Sequence, residues 1–326
     1  MRTRVRSLLV LPAALTGLAL LAAPASATVV MDWVTVGNPG NLADTATNCF
    51  AADCGSVADP YLISKYEVTN AQYVEFLNLK AAADPLGLYS TSMNSSAQGG
   101  ITRSGSSGSY TYAVKPGFAD KPVNYVTSYD ALRFANWMNN GQGSADTETG
   151  AYTLLGGTST PSNGLTVQRN PGANLFLPSE NQWYKAAYYD GLSATYFDYP
   201  AASNAATACS GPTAAANHAN CVNAVGNVTD KGAYTGSASP YGTFDQGGNV
   251  WEWNEQIVSG VYRGLRGGSW ADNNAGNLAA SFRGFADPAN GSATVGFRVA
   301  SLVPEPGTLI LVMTGLAGLS LKRRSS

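Results

Sequence analysis

The residues best equipped for chemistry lie in Tyr241-Gly242-Thr243-Phe244-Asp245-Gln246-Gly247-Gly248-Asn249-Val250-Trp251-Glu252-Trp253. Asp245, Asn249 and Glu252 offer oxygen at close spacing, and the glycines let the backbone turn so that carbonyls point inward. Hard oxygen donors on a glycine-rich turn suit Ca²⁺, although the spacing is not that of an EF-hand. The same residues read equally well as a tight turn packed by two tryptophans, with Glu252 in a salt bridge. A second cluster is Tyr262-Arg263-Gly264-Leu265-Arg266-Gly267-Gly268-Ser269-Trp270. A strand ending in two glycines and an aromatic sets Ser269 on a close-packed turn as a pocket-lining hydroxyl. Ser269 is a poor nucleophile, because the only histidine, His218, lies in a distant loop and no base is evident. A third cluster, Phe282-Arg283-Gly284 with Gly296-Phe297-Arg298-Val299, carries arginines that pair with core acids or bind an anionic ligand; the core use is favoured.

These clusters need elements to position them, and helical periodicity is confined to three short segments. In residues 69–77, Thr69 and Gln72 form a capping box, and Tyr73, Val74 and Leu77 share a face. Residues 128–139 turn Ala131, Leu132, Ala135 and Met138 inward. The third helix starts at Ser179, which pairs with Gln182 as a second capping box, and Trp183, Ala186 and Ala187 follow. Residues 29–36 and 62–68 read as strands. Residues 86–112 carry no pattern and read as an exposed insertion; 140–174 and 200–230 are similar. The sum is an α+β domain with few helices, short strands and long loops, which disulfides or bound ions would help to order.

The chain has 326 residues, 44% hydrophobic and only 12% charged, so it can bury a core and is not disordered by composition. Its 19 Lys and Arg against 21 Asp and Glu exclude a basic nucleic-acid face. One histidine excludes a catalytic triad, a His-rich metal site or a relay of imidazoles. Residues 1–27 read as a signal peptide: Arg2, Arg4 and Arg6, an apolar run, then Ala25-Ser26-Ala27. At the other end, Pro304-Glu305-Pro306 precedes an apolar stretch and Lys322, Arg323 and Arg324. This segment, 303–326, resembles the PEP-CTERM sorting tail of Gram-negative bacteria. The resemblance implies recognition by an exosortase and the secretion machinery. It also implies transient membrane anchoring and export to the cell surface, outer envelope or extracellular matrix. Three basic residues fall in each end, which leaves 13 against 20 acids between them, a mildly acidic domain that should tolerate divalent cations. In an oxidising compartment the four cysteines allow three pairings, of which the local one, Cys49 with Cys54 and Cys209 with Cys221, is favoured.

Taken in order, six segments resemble the formylglycine-generating enzyme and sulfatase-modifying factor family over residues 28–302. They are Tyr66-Glu67-Val68-Thr69-Asn70-Ala71-Gln72-Tyr73, then Pro122-Val123 with Tyr129-Asp130-Ala131 and Asn136-Trp137, then Leu177-Pro178-Ser179-Glu180-Asn181-Gln182-Trp183. Gly248-Asn249-Val250-Trp251-Glu252-Trp253, Arg266-Gly267-Gly268-Ser269-Trp270 and Gly296-Phe297-Arg298 complete the set. The resemblance implies a loop-rich C-type-lectin-like variant fold and structural Ca²⁺. One ion would take Asp245, the carbonyls of Gly248 and Val250, and Glu252. A second would sit near Asn220 and Cys221. It also implies a pocket lined by Trp251, Ser269 and Trp270.

The departure from the family is in that pocket. Formylglycine-generating enzymes place two copper-binding cysteines after the Gly-Gly-Ser-aromatic motif; here Asp272 and Asn277 stand at those positions. Cu(I) prefers soft thiolates, so no copper is expected. Other branches run iron chemistry with His ligands from a partner domain, and this chain reads as having neither. The expectation is a non-catalytic exported module that binds a glycan or exopolysaccharide, or a structural surface protein that binds only ions. The alternative is an enzyme of the family, an oxidoreductase acting on a peptide cysteine or another substrate.

Overall fold

In the computed structural model, residues 29–45 and 53–304 are described. The leader, Cys49, Glu305, Pro306 and the rest of the tail lie outside the described residues. In chain order the elements are β1 (Trp33–Val36), β2 (Tyr61–Ser64), α1 (Asn70–Lys80), α2 (Ser92–Ser95), β3 (Ile101–Ser104), β4 (Thr111–Val114) and α3 (Ser128–Asn139). They continue with β5 (Leu175–Phe176), α4 (Glu180–Tyr188), β6 (Tyr189–Asp190), β7 (Thr195–Tyr196), β8 (Ala208–Cys209) and β9 (His218–Ala219). Last come β10 (Trp251–Val258), β11 (Tyr262–Arg266), β12 (Gly284–Ala286), β13 (Val295–Phe297) and β14 (Ala300–Leu302).

The three longer helices begin where local chemistry requires. Thr69, Thr127 and Ser179 are extended N-caps, and each forms a reciprocal box with the residue three along: Gln72, Asp130 and Gln182. Two four-stranded sheets carry the fold. One has the order β1-β2-β14-β5, antiparallel throughout. The other has the order β12-β11-β10-β13, antiparallel except for the parallel pair β10 and β13. Between them Tyr73, Phe76, Phe134, Trp137 and Phe297 form one aromatic core, with Phe134 edge-on to Phe297 at 5.4 Å.

Three sequence expectations change. The strands expected at 29–36 and 62–68 are shorter, Trp33–Val36 and Tyr61–Ser64; past Lys65, which still bonds to Asp32 O, the chain leaves the first sheet and Val68 N donates to Phe297 O of the second. The segment 86–112 is not an exposed insertion. It holds α2 and the β3–β4 hairpin, and Leu88, Met93, Ile101 and Tyr112 are buried in the main core. Its apolar residues are too sparse to show a period. On α3, Met138 is half-buried, while Arg133, Phe134, Asn136 and Trp137 are buried as well. The loop 140–174 wraps that helix. Glu148 accepts Arg133 Nε at 2.6 Å, and Thr147 O and Tyr152 O accept Asn136 Nδ2 at 2.8 and 3.1 Å. The pattern-free loop is thus ordered by polar side chains of a buried helix, which satisfies both partners. Cys209 of β8 is bonded to Cys221, two residues past β9; Cys54 is also disulfide-bonded.

Candidate functional site

β10 carries Trp251, Glu252 and Trp253 between β11 and β13, opposite Leu265–Arg266 on one side and Val295–Phe297 on the other. Alternation puts Glu252 on the face toward α4, where it is fully buried. Arg298 grips it twice, Nε to Oε2 at 2.5 Å and Nη2 to Oε1 at 2.6 Å, and Trp183 Nε1 adds a bond to Oε2 at 2.6 Å. Burial opposes the charge of Arg298 most strongly, but the charge and hydrogen bonds of Glu252, with the nearby Glu67 and Asp245, together outweigh it and raise the guanidinium pKa. Two further acids surround the pair. Glu67 accepts Asn249 Nδ2 at 3.2 Å and Val250 N at 3.4 Å, and Asp245 accepts Gly232 N at 2.6 Å. Burial first, then the carboxylates of Asp245 and Glu252, push Glu67 well above the usual range, and burial lifts Asp245 to about 6. A second node lies alongside: Glu180 accepts Arg266 Nε at 2.7 Å and Asn254 Nδ2 at 2.9 Å, with Arg283 Nε at 3.4 Å. The core use of Arg283 and Arg298 is therefore the one the structure shows.

The cleft forms where β11 ends. Gly267 and Gly268 have φ of +100° and +73°. A Cβ on Gly268 would lie 2.7 Å from Leu278 Cδ1 and 3.2 Å from Asp272 Oδ2, so only glycine fits. Asp272 Oδ2 accepts Ser269 N at 2.8 Å, and Oδ1 accepts Trp251 Nε1 at 3.2 Å. Asn277 lies on a short 3₁₀ turn, Ala275–Leu278, and its carbonyl carbon also closes on Gly268. Asp272 and Asn277 are thus brought to the same glycine. Ser269 is fully buried and its Oγ has no partner, so it lines the turn from inside. Trp270 is buried with Val228 and Val250, and its indole donates to Ala293 O; it belongs to a small core there. Trp251 lies over Gly284, where a Cβ would meet its ring at 3.1 Å, and the half-exposed Phe282 ring is 5.8 Å away. Sequence reasoning gave no site role to Glu67, Glu180 or Phe282 and placed Trp183 only as a core-facing residue of the third helix. Glu67, between Tyr66 and Val68, carried the one local signal, an acid flanked by apolar residues.

The metal donors divide. Glu252 does not fit a calcium ion, because both of its oxygens are engaged by Arg298 and Trp183. Asn220 does fit a hard cation: its Oδ1 is buried with no donor, while its Nδ2 is used by Asn227 O. Asn220 O also accepts Asn249 N, which ties this loop to the Gly248 turn. Among the described residues no three His, Cys, Asp or Glu side chains converge as a metal cluster. The hard oxygens of Asp272 and Asn277 do not fit Cu(I), and no described cysteine is free.

Comparison with known proteins places this geometry. Residues 23–303 match the sulfatase-modifying factor enzyme 1-like domain, and residues 302–324 match the PEP-CTERM protein-sorting motif. Hercynine oxygenase of Mycolicibacterium smegmatis is 28% identical over 204 residues, covering 56% of this chain and 37% of that protein. The Mycobacterium tuberculosis hercynine oxygenase is 25% identical over 201 residues, with the same coverage. The chain therefore spans well under half the length of these curated relatives. Among solved structures, CarF superposes with a TM-score of 0.53 at 19% identity, covering 85% of this chain and all of CarF. Treponema denticola variable protein 1 gives 0.50 at 19% identity, covering 84% and 95%. These likenesses establish the fold: α+β, with few helices and many short strands.

Proposed function

Because the chain belongs to the sulfatase-modifying factor enzyme 1-like family and carries a PEP-CTERM sorting motif, we propose that it is an exported, surface- or matrix-associated glycan-binding module. The observation that carries this reading is Asp272. It stands at a position where the family resemblance expects a thiol, and it is fixed by Ser269 N–H and Trp251 Nε1. A carboxylate has about four acceptor sites, and only two are used here, so the others are open to sugar hydroxyls. Trp251 and Phe282 offer ring faces beside it, the apolar complement of a pyranose face. The sorting motif indicates export in a Gram-negative bacterium and implies the exosortase machinery as a partner. Structural Ca²⁺ is part of the proposal at the Asn220–Cys221 loop, supported by the buried Asn220 Oδ1.

The test is cosedimentation of the exported protein with the exopolysaccharide of its host, in calcium and in chelator. Pelleting that depends on calcium supports both parts of the reading; pelleting in neither condition removes the glycan. Conversion of the cysteine in a Cys-x-Pro-x-Arg peptide to an aldehyde, with copper supplied, would replace this reading with an enzyme.

A further inference from the structure

The sorting tail leaves the domain at a place the first sheet defines. β1 and β14 both pair antiparallel with β2, so they run parallel to each other, roughly 10 Å apart with β2 between them. Val36 at the end of β1 and Leu302 at the end of β14 both lie opposite Tyr61. The chain therefore leaves both strands at the same end of the sheet and in the same direction. From β14 it enters the tail, whose apolar run starts at Thr308, six residues past Leu302. Six extended residues span at most about 20 Å, so a bilayer that holds this run also holds the Tyr61 end of the sheet close to its surface.

Two loops at that end carry the two most exposed large apolar side chains among the described residues: Leu192, 99% exposed, and Leu42, 85% exposed. Val30, the next most exposed, precedes β1 at the other end. Leu192 is at the tip of the β6–β7 hairpin, and Leu42 is in the loop after β1. Asn38, two residues past Val36, donates from Nδ2 to Gly191 O at 3.3 Å, and Tyr196 Oη of the hairpin donates to Leu42 O at 2.9 Å. The two loops thus pack on each other beyond the end of the sheet. Polar side chains fix both. Asp190 accepts Leu192 N at 2.9 Å and Ser193 Oγ at 2.7 Å, while the buried Asn41 donates to Gly55 O at 2.8 Å and accepts Val57 N at 3.2 Å. A single exposed leucine is ordinary; two on braced, adjoining loops beside the exit of an apolar tail form an apolar contact surface. The charges around them are acidic at the surface, since Asp53 and Asp59 are exposed and Lys185 is buried against Asn38 O at 2.7 Å.

We infer that the Leu42 and Leu192 loops dock on the bilayer that holds the tail, with both leucines inserted among zwitterionic headgroups. Insertion removes the leucine side chains from water, which the fold itself does not do. Asp53, Asp59 and Asp190 repel anionic lipid, so the surface prefers a bilayer without net charge. Weak insertion suffices, because the tail keeps the loops at a high effective concentration near the surface. The tether thereby fixes how the domain stands on the membrane as well as where it is attached. This inference rests on the sorting tail and does not depend on the glycan reading of the Trp251–Asp272 cleft.

The test uses the exported protein with its tail intact, reconstituted in phosphatidylcholine vesicles. A nitroxide is attached in turn at Leu42→Cys, at Leu192→Cys and, on the edge of the second sheet, at Phe285→Cys; all three sites are exposed, so the fold tolerates the label. Collisions with oxygen, which concentrates in the bilayer, and with a water-soluble nickel chelate report the depth of each label. The expected result is that both leucine labels lose contact with the chelate and gain contact with oxygen, while the Phe285 label stays in water. The Phe285 label also shows that the nitroxide does not drive insertion by itself. Adding phosphatidylglycerol to the vesicles should shift both leucine labels toward water. Leucine labels that stay aqueous, insertion of the Phe285 label in their place, equal insertion of all three, or insertion only in anionic vesicles would overturn the inference.

Discussion

Glu252 and Asp272 each accept a hydrogen bond from a tryptophan indole, at 2.6 and 3.2 Å. Their surroundings then diverge. Glu252 is fully buried, and Arg298 engages both its oxygens. Asp272 is half-buried and is held only by neutral N–H donors, with no ion pair among the described residues. The first carboxylate is consumed by the fold: it joins α4, β10 and the Arg298 segment. The second keeps unused lone pairs at a half-buried position beside the Trp251 ring. The difference shows that position in a shared motif does not assign a role. Glu252 is a ligand position by resemblance and a structural anion by geometry.

The largest test of that contrast is Glu252→Gln. It leaves Arg298 buried without its counter-charge, and breaking such a pair costs about 3–5 kcal/mol. A denaturant midpoint should fall accordingly; a loss under about 1 kcal/mol would mean that the pair does not anchor the fold. Next comes pH. Burial lifts the carboxyls of Asp130 and Asp245 to about 6. Each therefore holds its proton more tightly folded than unfolded, so its stabilisation is full below the ordinary aspartate value of about 4 and is lost as pH rises through about 6. Urea midpoints measured in chelator should drop between about pH 4 and about pH 6.5; a rise would mean that the buried acids are held ionised. Asp272→Asn is smaller. It keeps the shape but turns an amide toward one of the two donors, a loss of about 1 kcal/mol, with glycan binding reduced through the lost charge. Equal damage to that of Glu252→Gln would erase the distinction between the two sites. Phe282→Ala should change stability by no more than about 0.5 kcal/mol and weaken glycan binding by roughly tenfold. Unchanged binding would remove the ring from the proposed surface.

What the sequence made legible was local. The capping boxes at Thr69 and Ser179 act across three residues, so a short window contains all of the physics, and both helices begin there. Tyr73, Leu77 and Trp183 are buried as their spacing implies. The nodes were not legible because their partners are distant: Arg298 and Glu252 are 46 residues apart, Arg266 and Glu180 are 86 apart, and Trp183 and Glu252 are 69 apart. No window joins them: the sequence marks the arginines for core acids and Glu252 for a salt bridge, but not which residue pairs with which. The segment 86–112 failed for another reason. Five buried side chains spread over a Ser- and Gly-rich stretch give no period, yet Arg103 sits between the rings of Tyr89 and Tyr110 at 4.7 and 4.2 Å. The reading of Asp272 and Asn277 rested on order along the chain, and the structure brings both to Gly268.

β14 has a consequence for how such a chain leaves the cell. It is the last described strand in sequence, yet it lies inside its sheet, bonded to β2 on one edge and β5 on the other. A chain threading outward from its N-terminus emerges with the β1–β2 pair and β5 but without the strand that links β5 to β2. The four-stranded sheet is therefore complete only once residues 300–302 have crossed. Closing that sheet is thus a late event along the chain, set by its order of strands.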